Sequence, residues 1–198
     1  VLGTIGDPLV RRIEVTVHKP AAPVGLPVDD VRLRIVRDAE PVDAVLAARV
    51  SVPLASAADA GRARDYDWAE GRGRFAPGKP WVLDNQIRDG QAGLRIYRLF
   101  VPDTGAPLLV DLGWTPIAER SARLPAAGII AGDGLAGEAR VLRGLLLPPP
   151  SSGLALGPPV TEGAVFLMTR IDMPAIAALA GAPGLAPRVL RADPALPL

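Results

Sequence analysis

The 198 residues suit one ordinary domain, and 49% hydrophobic content is too high for a disordered chain, although aromatics at 4% leave the core to be filled mainly by Leu, Val, Ile and Ala. With 22 basic against 21 acidic residues the net charge is +1, which argues against broad electrostatic attraction to nucleic acid or anionic membranes. There is no cysteine and one histidine, His18, which excludes disulfides, thiolate chemistry and multi-histidine metal sites, so no metal is expected.

In chain order the elements are mostly strands. Residues 12–19 alternate Ile13, Val15 and Val17 with Glu14, Thr16 and His18, and residues 31–36 alternate Val31, Leu33 and Ile35 with Arg32 and Arg34. Both have the period of two that half-buries a strand, and the turn-rich KPAAPVGLP between them predicts a hairpin with a long loop. Residues 42–50 have helical spacing through Val42, Val45, Leu46 and Arg49, with Asp43 near the start and Pro53 as the stop. Residues 66–75 alternate weakly, and residues 80–83 begin a strand expected to end in an Asp84-Asn85 turn. A second turn at Arg88-Asp89-Gly90 leads into a strand over 93–101, and Asp103-Thr104-Gly105 turns the chain into 108–114.

Within LLVDLGWTP (108–116), LLVDLGW, residues 108–114, reads as a central strand, apolar on both faces. Gly113 permits a bulge or close approach, Trp114 needs a partner for its indole N–H, and Pro116 ends the ladder. Residues 138–147 and 164–171 are further strands, separated by a Pro/Gly/Ser loop over 148–159. Asp172 then fits the N-cap of a short helix with Pro174 in its first turn, and residues 187–191 form a last strand. The expected fold is mainly β (α+β), an antiparallel sheet or barrel-like domain with two short helices after an N-terminal β-hairpin.

No phosphate loop, Gly-x-Ser-x-Gly, zincin pair or Cys-x-x-Cys is present. GRGRF at 71–75 reads as a strand entering the sheet in preference to a nucleic-acid patch, because Asp65, Asp67 and Glu70 stand beside it. Asp84, Asp89 and Asp111 offer carboxylates for acid–base or metal work, but two of them lie in turn sequences where an Asx side chain bonds its own backbone. Lys19, beside a strand end and Pro20, could have its pKa lowered into a catalytic range, though solvation is the commoner fate of such a lysine. No apolar run reaches the roughly 18–20 residues that cross a bilayer, and the start at Val1 without a signal pattern suggests a fragment or processed piece.

An ordered series resembles the soluble domain of the Surfeit locus protein 1 family, the cytochrome c oxidase assembly factors: ARVSVPLA, DWAEGRGRF, VLDNQIRDGQAGLRIYRLF, LLVDLGWTP, VLRGLLLPPP and TRIDMPAIAA. The resemblance covers residues 42–198. It implies an extracytoplasmic β domain between two membrane helices that are missing here, serving haem a delivery or insertion into oxidase subunit I. It makes Gly113, Trp114 and Pro116 the family's Gly-Trp-x-Pro, and Asn85, Gly90 and Gly93 its turn positions, as structural motif residues. Leu112 stands where the family usually has Arg. The family's haem-linked histidine belongs to the second membrane helix, so the resemblance assigns no haem ligand to this chain, and membrane contact would come only through the missing helices.

RRIEVTVHKPAAPVGLPVDDVRLRIVR, within residues 1–41, resembles the C-terminal strand pair of dihydroneopterin aldolase, a cytoplasmic enzyme of folate biosynthesis. That resemblance makes Lys19 the match for the family's catalytic lysine, while the family's substrate-anchoring glutamate belongs to an N-terminal half not present here. The two halves thus imply different compartments, and by coverage the assembly-factor reading is the one expected to hold.

Overall fold

The computed structural model describes residues 10–17, 31–37, 39–117, 136–150 and 157–196. Alternation in the first two apolar stretches yields β1 (Val10–Val17) and β2 (Val31–Arg37), which pair antiparallel with each other alone, from Val17↔Val31 outward. Helix α1 (Ala39–Ala48) begins three residues earlier than the apolar spacing predicts, because Pro41 falls in a first turn, where its missing N–H costs no hydrogen bond.

The remaining strands form one nine-stranded sheet. They are β3 (Ser51–Pro53), β4 (Asp67–Phe75), β5 (Trp81–Arg88), β6 (Gln91–Pro102), β7 (Leu108–Pro116), β8 (Ala139–Leu147), β9 (Val160–Glu162), β10 (Val165–Met168) and, after helix α2 (Met173–Leu179), β11 (Val189–Ala192). Their order is β3-β4-β8-β11-β7-β6-β5-β10-β9, and β4 pairs with β6 as well. That extra pairing closes β4, β8, β11, β7 and β6 into a five-stranded ring, with β5, β10 and β9 running on as a side wing. The closure runs over three residue pairs, Gly73↔Pro102 to Phe75↔Phe100, along stretches of β4 and β6 that β3 and β5 leave unpaired.

The mainly β architecture expected from the sequence is what the chain forms, with two α-helices among the described residues. Strand direction is mixed: β3–β4, β5–β10 and β7–β11 are parallel, the rest antiparallel. Alternation within a strand reports which face is buried but carries no information about the direction of its neighbour. Here the α2 connection carries the chain from the wing back to the ring, so that β11 enters beside β7 in parallel.

Residues from all five ring strands meet inside: Phe75, Phe100, Leu108, Val110, Leu142 and Leu190 are fully buried in one cluster. Phe75 and Phe100 pack edge to face at 5.2 Å. At the closing seam a Cβ on Gly73 would lie 2.3 Å from the Val101 carbonyl, so only glycine lets β4 come this close to β6.

Outside the ring, α2 covers one stretch of β5, β6, β7 and β11 by setting Ile176 among Trp81, Tyr97, Leu109 and Val189. Its start is as predicted, with the Asp172 carboxylate accepting from Ala175 N–H at 3.1 Å. Helix α1 covers β4 and β8 through Val42, which packs with Trp68, Leu145 and Leu147. A buried Asp67–Arg188 pair (2.5 Å) ties β4 to the lead-in of β11; Asp67 also accepts from Arg62, and Arg188 donates to the Ser56 carbonyl.

Candidate functional site

Two irregularities flank β6 and decide what the outer face of the sheet presents. On β7, Asp111 pairs with Tyr97 and Trp114 with Arg95, so three residues of β7 advance against two of β6. Without that extra residue, Asp111 and Trp114 would point to opposite faces; the bulge at Leu112-Gly113 puts them on the same one. Gly113 carries φ +123, which explains glycine at this step.

On β5, Leu83 pairs with Arg95 and Gln86 with Gly93, a second bulge at the same level. The Asp84-Asn85 turn expected from the sequence is therefore a bulge inside a continuous strand. Asn85 takes φ 57, and the Asp84 carboxylate accepts the Asn85 N–H at 2.7 Å, the local bonding that makes this pair turn-like without reversing the chain. The reversal comes at Asp89-Gly90, with φ 51 and 77, a two-residue hairpin loop between the paired Arg88 and Gln91.

These distortions bring the motif residues together. Trp114 lies across Gly93, where a Cβ would come within 2.3–2.4 Å of three indole atoms, and its N–H donates to the Gln86 carbonyl at 2.9 Å. Gly93 is thus a strand residue under an aromatic lid, not a turn position. Pro116 pairs with Gly93 as the last residue of β7, and one more cross-strand bond, from Ile117 N–H to the Ala92 carbonyl at 3.1 Å, follows it before the pairing stops. The Arg88 guanidinium stands 5.9 Å from the Trp114 ring.

Beside this wall Asp111 is buried as a hub. Its Oδ2 accepts from Arg95 Nη1 at 2.5 Å and from Arg191 Nε at 3.4 Å, and its Oδ1 from Gly113 N–H at 3.0 Å. Burial is the largest single influence and works against the Arg95 charge, but the Asp111 carboxylate and the neighbouring Tyr97 together outweigh it and hold the guanidinium above its already high ordinary pKa. The Tyr97 hydroxyl, fully buried next to this cluster, has no hydrogen-bond partner among the described residues. Burial first, and then the Asp111 carboxylate, push its pKa far up, against the opposing pull of Arg95 and Arg191.

Together these residues bound an open cleft of about 580 Å³ just beyond the stretch of sheet that α2 covers, with Arg88, Arg95, Arg191, Leu112 and Trp114 around it. Leu112, the position where the resemblance calls for Arg, is the bulged residue and half-buried at the cleft wall. On the far side Asp193 is held by Arg143 at 3.0 Å and by the Ala195 N–H at 3.0 Å, and these contacts, led by the backbone N–H, lower its pKa.

Of the residues singled out from the sequence, Asn85, Gly90, Gly93, Gly113, Trp114 and Pro116 converge on the β5–β6–β7 wall. Asp84, Asp89 and Asp111 lie on the same strands and hairpin, but none offers a free carboxylate for acid–base or metal work: Asp84 bonds its neighbour's backbone, Asp89 lies exposed beside Arg88, and Asp111, at the cleft, is spent on arginines. Among the described residues no group of three or more His, Cys, Asp or Glu could hold a metal ion. GRGRF lies in β4, with Arg72 near Asp103 at 3.8 Å. Lys19 and His18 lie outside the described residues. Arg95 and Arg191 were not recognisable as site residues from the sequence, since their meeting at Asp111 depends on β11 pairing in parallel with β7; the alternation of 93–101 placed Arg95 on a strand and went no further.

A closed β ring with a side wing, opening at an arginine-lined, tryptophan-walled cleft, defines a mixed-sheet β domain. The SURF1 family model matches residues 32–197, and the chain belongs to that family. Membership brings a role in cytochrome c oxidase assembly in general, in a family associated with the membrane. Among the described residues no helix is long and apolar enough to cross a bilayer. The search of curated proteins gave no match. The likeness of residues 1–38 to dihydroneopterin aldolase gains no support, and the family match itself begins inside β2.

Proposed function

We propose that this domain serves cytochrome c oxidase assembly at the step where haem a reaches subunit I, acting from the extracytoplasmic side with residues 42–198 as the working unit. Family membership over residues 32–197 supports the process. The observation that carries the finer reading is that the family-motif residues Gly93, Gly113 and Trp114 build one wall of a cleft lined by Arg88, Arg95 and Arg191.

Haem a enters this reading as cargo. The described residues contain no histidine or cysteine, and the cleft lining holds no methionine or tyrosine either, so the part assigned to the cleft is recognition of a partner or of the cargo's periphery. The cleft residues suit that part: guanidiniums recognise carboxylates through paired N–H donors, and the indole offers a flat apolar surface.

The test is photo-crosslinking in cells from the full-length protein. Gln91→p-benzoylphenylalanine, next to the hairpin at the cleft, is expected to capture oxidase subunit I, and the same group at Val141 on β8 to capture it less. Equal capture from both positions, or capture of other subunits alone, would remove the assignment to subunit I.

A further inference from the structure

We infer that the cleft between Trp114 and Arg191 is a binding site for a small amphiphilic carboxylate, its acid group forked by Arg95 and Arg191 and its apolar body laid against Trp114 and Leu112. Three observations lead there. First, Arg95 and Arg191 both bond one oxygen of one carboxylate, Asp111 Oδ2, at 2.5 and 3.4 Å. Two guanidiniums on one acidic group leave one positive charge uncompensated at the cleft floor, and Arg88 stands at the rim in a loose, exposed pair with Asp89 at 3.7 Å. The Asp193 carboxylate, also at the cleft, is engaged by Arg143 and the Ala195 N–H and so does not supply the missing charge.

Second, donors remain. Among the described residues Arg95 spends Nη1 and Arg191 spends Nε on Asp111, out of five N–H groups on each guanidinium. Both side chains are only partly buried and both border the cleft. A second anion there completes their hydrogen bonding and relieves the repulsion between them.

Third, the walls are not those of a plain phosphate site. Leu112, Trp114, Ala192, Pro194 and Leu196 give the cleft an apolar side facing its cationic one. Inorganic phosphate would leave that side wet, whereas an acid on an aromatic or aliphatic body uses both. The bulge at Leu112-Gly113 is what places the indole and the Asp111 cluster on one face, so the site is a product of the same distortion that shapes the motif.

The test is calorimetric titration of the 198-residue chain with 2-naphthoate, with 2-naphthol as its uncharged counterpart and inorganic phosphate as the anion without a body. Naphthoate is expected to bind one to one, at least tenfold tighter than either control. Arg88→Gln, an exposed change remote from the Asp111 cluster, weakens it about threefold to tenfold. Arg95→Lys, which keeps the charge on Asp111 but loses the fork, weakens it further. Tyr97→Phe, behind the cluster, leaves it unchanged. Binding of naphthol as tight as naphthoate, binding of phosphate as tight as naphthoate, or indifference to both arginine changes would overturn the assignment.

A further arm separates two sources of the carboxylate and alone rests on the haem a reading. A metal-free dicarboxylate porphyrin that displaces bound naphthoate marks a porphyrin propionate as the natural group. Failure to displace it marks a free organic acid and counts against haem a at this cleft, while naphthoate binding keeps the site itself.

Discussion

Replacing Gly93 by alanine puts a methyl group where the Trp114 indole lies. The new Cβ would sit 2.3 Å from Cε2 and 2.4 Å from Cζ2 and Nε1, against an ordinary carbon contact of about 3.5–4.0 Å. The indole must therefore retreat by roughly 1 Å or more. That stretches its 2.9 Å bond to the Gln86 carbonyl beyond hydrogen-bonding range. Forced overpacking costs about 1–3 kcal/mol and the lost hydrogen bond about 1 kcal/mol. Trp114 is half-buried and has room to swing, so we place Gly93→Ala at about 2–3 kcal/mol of lost stability, from the lower part of those ranges. Urea denaturation reads the value, and the cause is isolated by repeating the substitution in a Trp114→Ala background. There alanine should cost almost nothing, a coupling of about 2 kcal/mol between the two positions. Equal destabilisation in both backgrounds would refute the contact as the reason for glycine.

Asp111→Asn should cost about 3 kcal/mol by urea unfolding, since it leaves Arg95 and Arg191 without their shared charge, whereas Arg88→Gln at the exposed rim should cost under about 0.5 kcal/mol. Asp172→Ala removes the N-cap of α2 and should lower stability by about 1 kcal/mol, with Asp172→Ser retaining most of it. Tyr97→Phe should be close to neutral near pH 7, because the buried hydroxyl makes no hydrogen bond among the described residues. The same variant should behave differently in alkali. With the folded pKa raised above the ordinary value of about 10, the unfolded chain sheds that proton first, so stability falls as pH rises beyond about 10, and Tyr97→Phe should flatten that part of the pH–stability curve.

The strands and helices were readable because their causes are local. Alternation marked β1 and β2, the apolar run at 108–114 marked a central strand two residues short of its end at Pro116, and Asp172 with Pro174 marked the start of α2. The indole partner required by Trp114 was foreseen as a need, but its identity as Gln86, 28 residues away, belongs to sheet register. Register also explains what was misplaced. Asn85 looked like a reversal because residues that accept positive φ serve bulges and turns alike, and only the ladder beyond it, Gln86↔Gly93 to Arg88↔Gln91, shows that the strand continues. Gly93 was named a turn position only through the family resemblance, whereas its own sequence put it at the start of the 93–101 strand, and it lies within β6. The Asp111 cluster draws one residue from each of β6, β7 and β11, and the parallel β7–β11 pairing that joins them leaves no mark in any one of their sequences. Ring closure through β4–β6 is likewise a long-range fact, hinted at only by Gly73 in GRGRF.

The haem a content of membranes from cells whose only copy of the full-length protein carries Arg88→Glu tests the central claim most directly. Arg88 borders the cleft but takes no part in the Asp111 cluster or the packed core, so the variant should accumulate like the wild type. Reduced-minus-oxidised spectra are predicted to show a diminished haem a band at unchanged protein level, because a carboxylate-repelling side chain now stands at the rim of the site. A full haem a band, or a loss that merely follows the amount of protein, would contradict the account.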